Sequence, residues 1–206
     1  MEKIQKNLIV FMPSMDGGGV EKNIILITNY LSKFIKNITL ITFDKKFNSE
    51  FSKNIKIINI QKKSNYNYSK YYKYFTCLWI LTKEILKKKN TAVFAFQANI
   101  YCIVLSKLFH FKLIVRSNSS PSGWTKNKIK VFIFKLLFKS PEYVIVNSYQ
   151  FSKEIYKKFK VRAKVIYNPL NKFEILKKSK EKIYFNFSNK QSLKIINIAR
   201  FTDQKD

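Results

Sequence analysis

Glycine, histidine and cysteine are scarce in this chain of 206 residues, and the scarcity of histidine and cysteine limits the metal and redox sites that it can form. There are four glycines, two cysteines and one histidine. Cys77 and Cys102 lie in apolar stretches without a CxxC spacing, so we expect buried thiols in a reducing compartment. His110 has no second histidine to share a metal ion, and we expect no metal site.

Long apolar runs are also lacking. No apolar run approaches the roughly 18 to 20 residues that span a bilayer, and the first ends at Pro13, too early for a signal peptide. These features predict a cytoplasmic protein.

Positive charge is abundant, but arginine is not. The formal net charge is +28, and of the 40 basic residues only Arg116, Arg162 and Arg200 are arginine. Lysine is a solvated point charge, and a mixture rich in Lys, Asn, Ile, Phe and Tyr is typical of an AT-biased coding sequence. Such a surface is still attracted to anionic lipid or nucleic acid at low salt. We expect the arginines where a planar, bidentate fork is needed.

Three of the four glycines are consecutive. Gly17, Gly18 and Gly19 lie between an apolar strand-like run and a helix-like run, an order that presents free backbone N–H groups to an anion. The alternative is a tight strand-to-helix connection. Lys22 stands where a dinucleotide fingerprint needs glycine, and no Gly-Lys-Ser/Thr follows, so a sugar nucleotide or lipid phosphate fits better than NAD or ATP. Asp44, after the next strand, is either a ribose-binding acid or an ordinary turn residue.

Apolar, β-branched runs alternate with helical periodicity along most of the chain. The first helix carries one apolar stripe, formed by Val20, Ile24, Ile27, Leu31 and Phe34. The predicted strands are Asn7–Met12, Ile38–Phe43, Ile55–Ile60, Thr91–Phe96, Lys112–Ser117, Glu142–Asn147 and Lys164–Tyr167. Strands without alternation indicate a sheet covered on both faces. The predicted fold class is α/β, a Rossmann-like, doubly wound parallel sheet of about seven strands.

The pattern changes after Asn168-Pro169. We expect a Rossmann-like domain over residues 1–168, a lysine-rich linker over 169–191 that is either irregular or a short exposed helix, and the first strand of a second domain within 192–206.

Several short motifs together resemble glycosyltransferase family 4, whose members are retaining enzymes of GT-B fold. They are, in chain order, Gly17-Gly18-Gly19-Val20-Glu21, Val115-Arg116-Ser117-Asn118, Val146-Asn147-Ser148, Val165-Ile166-Tyr167-Asn168-Pro169, and the run from Ile198-Ala199-Arg200 to Lys205. The resemblance implies that this chain is the N-terminal, acceptor-side half of such an enzyme. It also implies a nucleotide sugar as donor substrate, with no further cofactor.

The resemblance assigns site residues. The residues that it assigns to the donor phosphates are Gly17, Gly18, Gly19 and Arg200. The residues that it assigns to the acceptor are Glu21, Asn99, Arg116, Asn118 and Ser119. Glu21 has an alternative role as a favourable carboxylate in the first turn of a helix.

The chain also departs from the family. Asp206 stands where the family has a glycine, and the paired acidic motif and nucleobase pocket are missing. We therefore expect a truncated sequence, inactive alone, and assign no catalytic residue.

Two stretches suggest contact with a membrane. In residues 126–139, a core-like stripe (Ile129, Phe132, Ile133, Leu136 and Leu137) is accompanied by a second apolar line (Val131, Phe134 and Phe138) among lysines. This helix is either buried or docked on an anionic leaflet, with Lys130, Phe134, Lys135 and Phe138 as the predicted contacts. Residues 66–79 mix aromatic residues and lysine, a composition that favours the headgroup region.

The predicted function is transfer of a sugar from a nucleotide sugar to a lipid-linked or polysaccharide acceptor in cell-surface glycan or lipopolysaccharide synthesis, at the inner face of the cell membrane. The alternatives are a non-catalytic, phosphate-binding Rossmann module and, less favoured because no recognised motif is present, a basic nucleic-acid-binding protein. We expect no specific nucleic-acid partner.

Overall fold

The structure is a computed structural model, and it describes residues 4–61, 68–88, 90–119, 124 and 127–182. The strands are β1 (Ile4–Phe11), β2 (Ile35–Thr42), β3 (Lys56–Asn59), β4 (Thr91–Ala95), β5 (Lys112–Ser117), β6 (Tyr143–Val146) and β7 (Lys164–Val165). The helices are α1 (Gly19–Leu31), α2 (Lys70–Lys87), α3 (Asn99–Phe109), α4 (Lys128–Leu137), α5 (Tyr149–Phe159) and α6 (Lys172–Lys178), and a short 3₁₀ helix covers Asn48–Glu50.

The seven strands form one parallel sheet in the order β3-β2-β1-β4-β5-β6-β7. In the centre, β1 pairs with β4 so that Asn7 lies opposite Thr91 and Phe11 opposite Ala95. Each parallel pair needs a crossover connection, and the helices between the strands supply it. The predicted fold class, an α/β Rossmann-like parallel sheet, is confirmed. All seven predicted strands are present, and β5 has the predicted bounds.

Both faces of the sheet are covered by apolar side chains. On one face, α2, α3 and α5 pack on a cluster that includes Phe11, Phe43 and Val115. On the other, α1 and the segment after β2 pack on a cluster that includes Val10 and Leu40. Successive residues of a strand point to opposite faces, so strands buried on both sides read as continuous apolar runs.

Polar caps fix where several helices begin. The hydroxyl of Ser69 accepts from the backbone N–H of Tyr72 at the start of α2, and Ser148 accepts from Phe151 at the start of α5. Such caps satisfy N–H groups that have no partner inside the helix.

Helix α1 buries Ile24 as the apolar stripe predicts. The helix ends at Leu31, before Phe34, the last residue of that stripe.

The chain divides into two compact units, Met1–Leu170 and Asn171–Asp206. Helix α6 belongs to the second unit, and the strand predicted near residues 193–199 lies outside the described residues. The first unit carries the whole seven-stranded sheet.

Candidate functional site

The strand order reverses between β1 and β4, at the centre of the sheet. In open α/β sheets, ligands bind beyond the carboxyl ends of the strands at such a reversal. The loops that follow these two strands are joined there, because the backbone N–H of Ser14 donates to Oε1 of Gln97 at 3.1 Å. The described residues around these two loops therefore define the candidate site.

The glycine loop follows β1. Gly17 has a φ of +93°, a conformation that side chains disfavour, and Gly18 is the N-cap of α1. The N–H groups of the first helical turn have no acceptor within the helix. The strand, glycine turn and helix follow in the predicted order, while phosphate binding by this loop stays a prediction.

Glu21 holds the glycine loop from inside. Its residue surface is only 8% exposed, and its Oε1 accepts a hydrogen bond from the backbone N–H of Asp16 at 3.2 Å. A carboxylate in the first turn is also favoured by the helix dipole. The described contact thus fits a first-turn role for Glu21, and its assignment to the acceptor stays a prediction.

An ion-pair network anchors the start of the same loop. The ammonium of Lys73 lies 2.9 Å from Oδ1 of Asp44 and 3.6 Å from Oδ1 of Asp16. The other oxygen of Asp44 accepts from the backbone N–H of Met15 at 2.8 Å. The hydroxyl of Ser14 donates to Asp16 at 3.0 Å. Asp44 therefore ties the loop to β2 and α2, and ribose binding would require it to give up contacts it already makes.

A crevice of about 470 Å³ opens at the ends of β4 and β5. Four of the five residues assigned to the acceptor line it, namely Asn99, Arg116, Asn118 and Ser119. Glu21 lines a different cavity, beside the glycine loop. The structure thus brings together residues that are up to 20 positions apart in the sequence.

Arg116 lies at the floor of the crevice. Its residue surface is 1% exposed, and its Nη2 donates to the carbonyl of Ile166 at 3.0 Å and to Oδ1 of Asn168 at 2.9 Å. Burial lowers the pKa of the guanidinium, because desolvation disfavours the charged form. Its Nε is buried and has no hydrogen-bond partner among the described residues. Arg116 is thus held in place with part of its donor capacity unused.

Two asparagines complete the polar floor. Nδ2 of Asn99 donates to the carbonyl of Arg116 at 3.0 Å, and Nδ2 of Asn118 donates to the carbonyl of Phe96 at 3.3 Å. The Oδ1 atoms of both side chains are buried and have no partner within the described part of the chain. Each amide is oriented by its donor side, and its buried oxygen keeps an unused capacity to accept a hydrogen bond.

Aromatic side chains form a wall of the crevice. The rings of Tyr74 and Tyr101 meet edge to face with their centroids 6.5 Å apart, and Trp124 and Phe134 also line the space. Burial, and next the nearby Asp16, raises the pKa of Tyr74. Sequence reasoning placed Tyr74 in a membrane-facing stretch and did not foresee its position in the crevice.

Ala98 is a second residue that sequence reasoning missed. It is the N-cap of α3, lines the crevice and has a φ of +55°, in the left-handed region that residues with a Cβ seldom adopt. Strained backbone of this kind concentrates at functional sites. No sequence signal marks this position, because alanine carries no preference for that conformation.

Helix α4 turns toward the core the apolar line that the sequence did not interpret as core-like. The stripe interpreted as core-like is largely exposed, with Ile129 71%, Phe132 60%, Ile133 45% and Leu136 50% exposed. Phe138 is 1% exposed, and its ring stacks on Phe159 at 5.4 Å. Phe138 is therefore a core residue, and its assignment as a membrane contact is wrong for this fold. Both lines are apolar, so periodicity alone did not distinguish them.

The other predicted membrane contacts differ in exposure. Lys130 is exposed, Lys135 is half-buried, and Phe134 packs partly against the core beside the crevice. On α2, Phe75 is 75% exposed, and the ammonium of Lys83 lies 3.4 Å from the ring centre of Trp79. Membrane contact by these residues stays a prediction.

Two further predictions concern metals and membrane spans. The described residues contain no cluster of His, Cys, Asp and Glu fit to hold a metal ion. Within the same part of the chain, none of the helices is long and apolar enough to cross a bilayer. Arg200 lies outside the described residues.

Comparison with known proteins supports the fold. No protein-family model matches the chain, and no curated protein matches it in sequence. Among solved structures, Anabaena HepE in complex with UDP and glucose matches at a TM-score of 0.57 and 15% identity, over 81% of this chain and 45% of that one. A glycosyltransferase from Rickettsia africae matches at a TM-score of 0.56 and 15% identity, over 85% of this chain and 49% of that one. The chain spans a little under half the length of these proteins.

Proposed function

We propose that this chain forms the acceptor-binding side of a glycosyltransferase of GT-B fold, which transfers a sugar from a nucleotide sugar to a lipid-linked or polysaccharide acceptor. The observation that carries the proposal is the crevice beside the strand-order reversal, with a buried arginine in its floor and aromatic rings in its wall. The similarity in fold to a glycosyltransferase and to a protein that binds UDP-glucose supports the same conclusion.

The floor of the crevice suits a phosphate with neighbouring hydroxyls. Arg116 supplies a fixed positive charge, and the side-chain oxygens of Asn99 and Asn118, which have no partner in the described part of the chain, are suited to accept from hydroxyl groups. Arginine binds phosphate through several directed N–H groups, and burial strengthens each contact by excluding water. The floor thus fits the phosphate end of an acceptor.

The wall suits an apolar chain. Trp124, Phe134 and Phe138 line the same crevice, and α4, which carries Phe134 and ends just before Phe138, also presents the exposed apolar residues described above. A crevice that is charged at its floor and aromatic at its wall matches an amphipathic ligand. A lipid-linked acceptor has this chemistry, and a free polysaccharide lacks the apolar part.

The partner surface in this proposal is the anionic inner face of the cell membrane. Exposed Ile129, Phe132 and Ile133 are accompanied on α4 by Lys128 and Lys130. Apolar side chains flanked by lysine fit the boundary between headgroups and acyl chains, and each lysine near an anionic surface adds about 1 kcal/mol.

On the donor side, we propose that Gly17, Gly18 and Gly19 face the phosphates of the nucleotide sugar together with Arg200. The free N–H groups at the start of α1 support this role.

Trp124 provides a direct test, because it lines the crevice and the chain has only one other tryptophan, Trp79. In a Trp79→Phe background, titration with a soluble polyprenyl pyrophosphate analogue is expected to change Trp124 fluorescence in a saturable way. Asn118→Ala removes an acceptor and is expected to weaken binding about fivefold, as one hydrogen bond of roughly 1 kcal/mol predicts.

The matched control is Asn37→Ala, which changes an exposed asparagine on β2 that contacts Asn7. It is expected to leave the affinity unchanged. A fluorescence change that is the same in the Asn118→Ala and Asn37→Ala proteins would contradict binding in the crevice.

A further inference from the structure

Two acceptor oxygens at the floor of the crevice have no donor among the described residues. Nδ2 of Asn99 donates to the carbonyl of Arg116. In the same way, Nδ2 of Asn118 donates to the carbonyl of Phe96. A carbonyl can only accept, so each amide is oriented with Oδ1 as its remaining polar atom, and both Oδ1 atoms are buried. Because a buried acceptor without a donor is costly, the ligand of this crevice is expected to bring hydrogen-bond donors.

A lipid phosphate alone brings too few donors for these two oxygens. A lipid chain of hydrocarbon carries no O–H group, and a phosphate with a second pKa of about 6 keeps at most one proton at neutral pH. Such a ligand serves one of the two oxygens in part and leaves the other without a donor. A sugar ring carries several hydroxyls, each of which donates as well as accepts. The two oxygens therefore favour an acceptor that has a sugar beside its phosphate.

The aromatic residues of the crevice form two groups, and the first is purely apolar. The ring centre of Trp124 lies 6.3 Å from that of Phe134 and 5.3 Å from that of Phe138. The indole N–H of Trp124 already donates to Oγ of Ser119 at 3.0 Å. This group thus offers a ligand apolar surface without a free polar atom, which suits a lipid chain.

The second group, the tyrosine pair, consists of Tyr74 on α2 and Tyr101 on α3. Each ring carries a hydroxyl that can donate and accept. Asn99 begins the same helix as Tyr101, and Gln97 lies just before it. Oε1 of Gln97 accepts from the backbone N–H of Ser14, so the donor Nε2 is the end of this amide that can serve a ligand. An aromatic pair beside amide groups suits a sugar, which has C–H faces and hydroxyls.

We propose that the crevice binds a lipid-linked acceptor that already carries a sugar on its phosphate. The sugar packs against the tyrosine pair and donates a hydroxyl to Oδ1 of Asn99. The phosphate lies at Arg116 and Asn118, and the lipid chain leaves along Trp124 and Phe134. The volume of about 470 Å³ is within the roughly 300 to 1,000 Å³ of small-molecule sites. This assignment rests on the proposed function, because it takes the crevice as the acceptor site, and it narrows the acceptor to a lipid-linked saccharide.

Analogues that differ only in the sugar test the assignment. Farnesyl pyrophosphate is the bare lipid, and its glucosyl, galactosyl and N-acetylglucosaminyl esters carry one sugar on the terminal phosphate. Each is titrated against the Trp79→Phe protein, with Trp124 fluorescence as the signal. At least one ester is expected to bind about tenfold or more tightly than farnesyl pyrophosphate, because the sugar adds at least two hydrogen bonds.

Variants locate the sugar within the crevice. Asn99→Ala is expected to weaken binding of that ester about fivefold and to leave binding of farnesyl pyrophosphate unchanged. Tyr74→Ala removes one ring of the tyrosine pair and is expected to have the same selective effect. Tyr71→Ala, at an 81% exposed tyrosine on the same helix, is the matched control. The ratio of the two affinities in one protein does not depend on its folded fraction, so a destabilised variant remains informative.

Two results would overturn the assignment. Farnesyl pyrophosphate that binds as tightly as every ester would show that water or the phosphate serves the two oxygens. An affinity ratio that is the same in Asn99→Ala, Tyr74→Ala and Tyr71→Ala would show that the sugar lies elsewhere. Either result leaves the proposed function standing, because a lipid phosphate still occupies the crevice, whereas binding of no analogue would overturn both.

Discussion

Nη2 of Arg116, at the end of β5, donates to Oδ1 of Asn168, just beyond β7, at 2.9 Å. This bond and the one from the same nitrogen to the carbonyl of Ile166 join the central sheet to the segment that leaves its edge. Because Arg116 is 1% exposed and also lines the crevice, one side chain fixes both the strand ends and the floor of the candidate site. The arginine thus has a structural role, while its buried Nε has no hydrogen-bond partner among the described residues.

Arg116→Lys is expected to destabilise the fold by about 2 kcal/mol even though it conserves charge, because the shorter side chain of lysine does not bring its ammonium to the position from which Nη2 donates to both acceptors. Asn168→Ala is expected to cost about 1 kcal/mol, and the double variant less than the sum, since the two changes remove the same bond. Urea unfolding of the three variants measures these differences. Additive losses would show that the two side chains do not interact.

The three consecutive glycines are expected to respond differently to alanine. At Gly17, with its φ of +93°, Gly17→Ala should cost about 1 to 3 kcal/mol of unfolding free energy through backbone strain. A Cβ on Gly19 would meet nothing within 4 Å, so Gly19→Ala should be neutral or stabilise by up to about 1 kcal/mol. Thermal unfolding compares the pair, and equal destabilisation by both would refute the described loop geometry.

The sequence predicted the sheet well because buried parallel strands leave a simple pattern of apolar, β-branched runs. It also placed Asn118 and Ser119 at a strand end, where the crevice proved to lie. It failed on α4, since two apolar lines on one helix give no sign of which faces the core. It also missed Tyr74 and Ala98, whose positions depend on how α2 and α3 pack against distant strands.

The reversed orientation of α4 changes which residue should matter for lipid binding. Phe132→Ser, at a position 60% exposed, is expected to leave stability nearly unchanged and to weaken binding to anionic vesicles at high salt, where lysine attraction is screened. Phe138→Ser should instead destabilise by about 3 to 5 kcal/mol, because it removes a buried ring. Vesicle sedimentation and urea unfolding distinguish the two. Undiminished vesicle binding by the Phe132→Ser protein would contradict lipid contact by this face.

Burial raises the pKa values of both thiols, Cys77 and Cys102. The folded protein therefore keeps them protonated where unfolded thiols, with a pKa near 9.0, begin to ionise. The unfolded state then binds fewer protons, so the free energy of unfolding should fall as pH rises above that value. Native protein at pH 8 should resist alkylation by iodoacetamide and react only in urea, as mass spectrometry would show. Rapid alkylation of the native protein would contradict the described burial.

Photo-cross-linking tests directly whether the crevice receives a lipid-linked acceptor. A polyprenyl pyrophosphate analogue with a benzophenone on its chain would be bound to the intact chain, irradiated, and mapped by peptide mass spectrometry. We expect cross-links in the crevice wall, at Trp124, at Phe134 or near Tyr101, and we expect them to be lost when unlabelled analogue is added in excess. Cross-links confined to α5 or α6, or labelling that unlabelled analogue does not reduce, would contradict it.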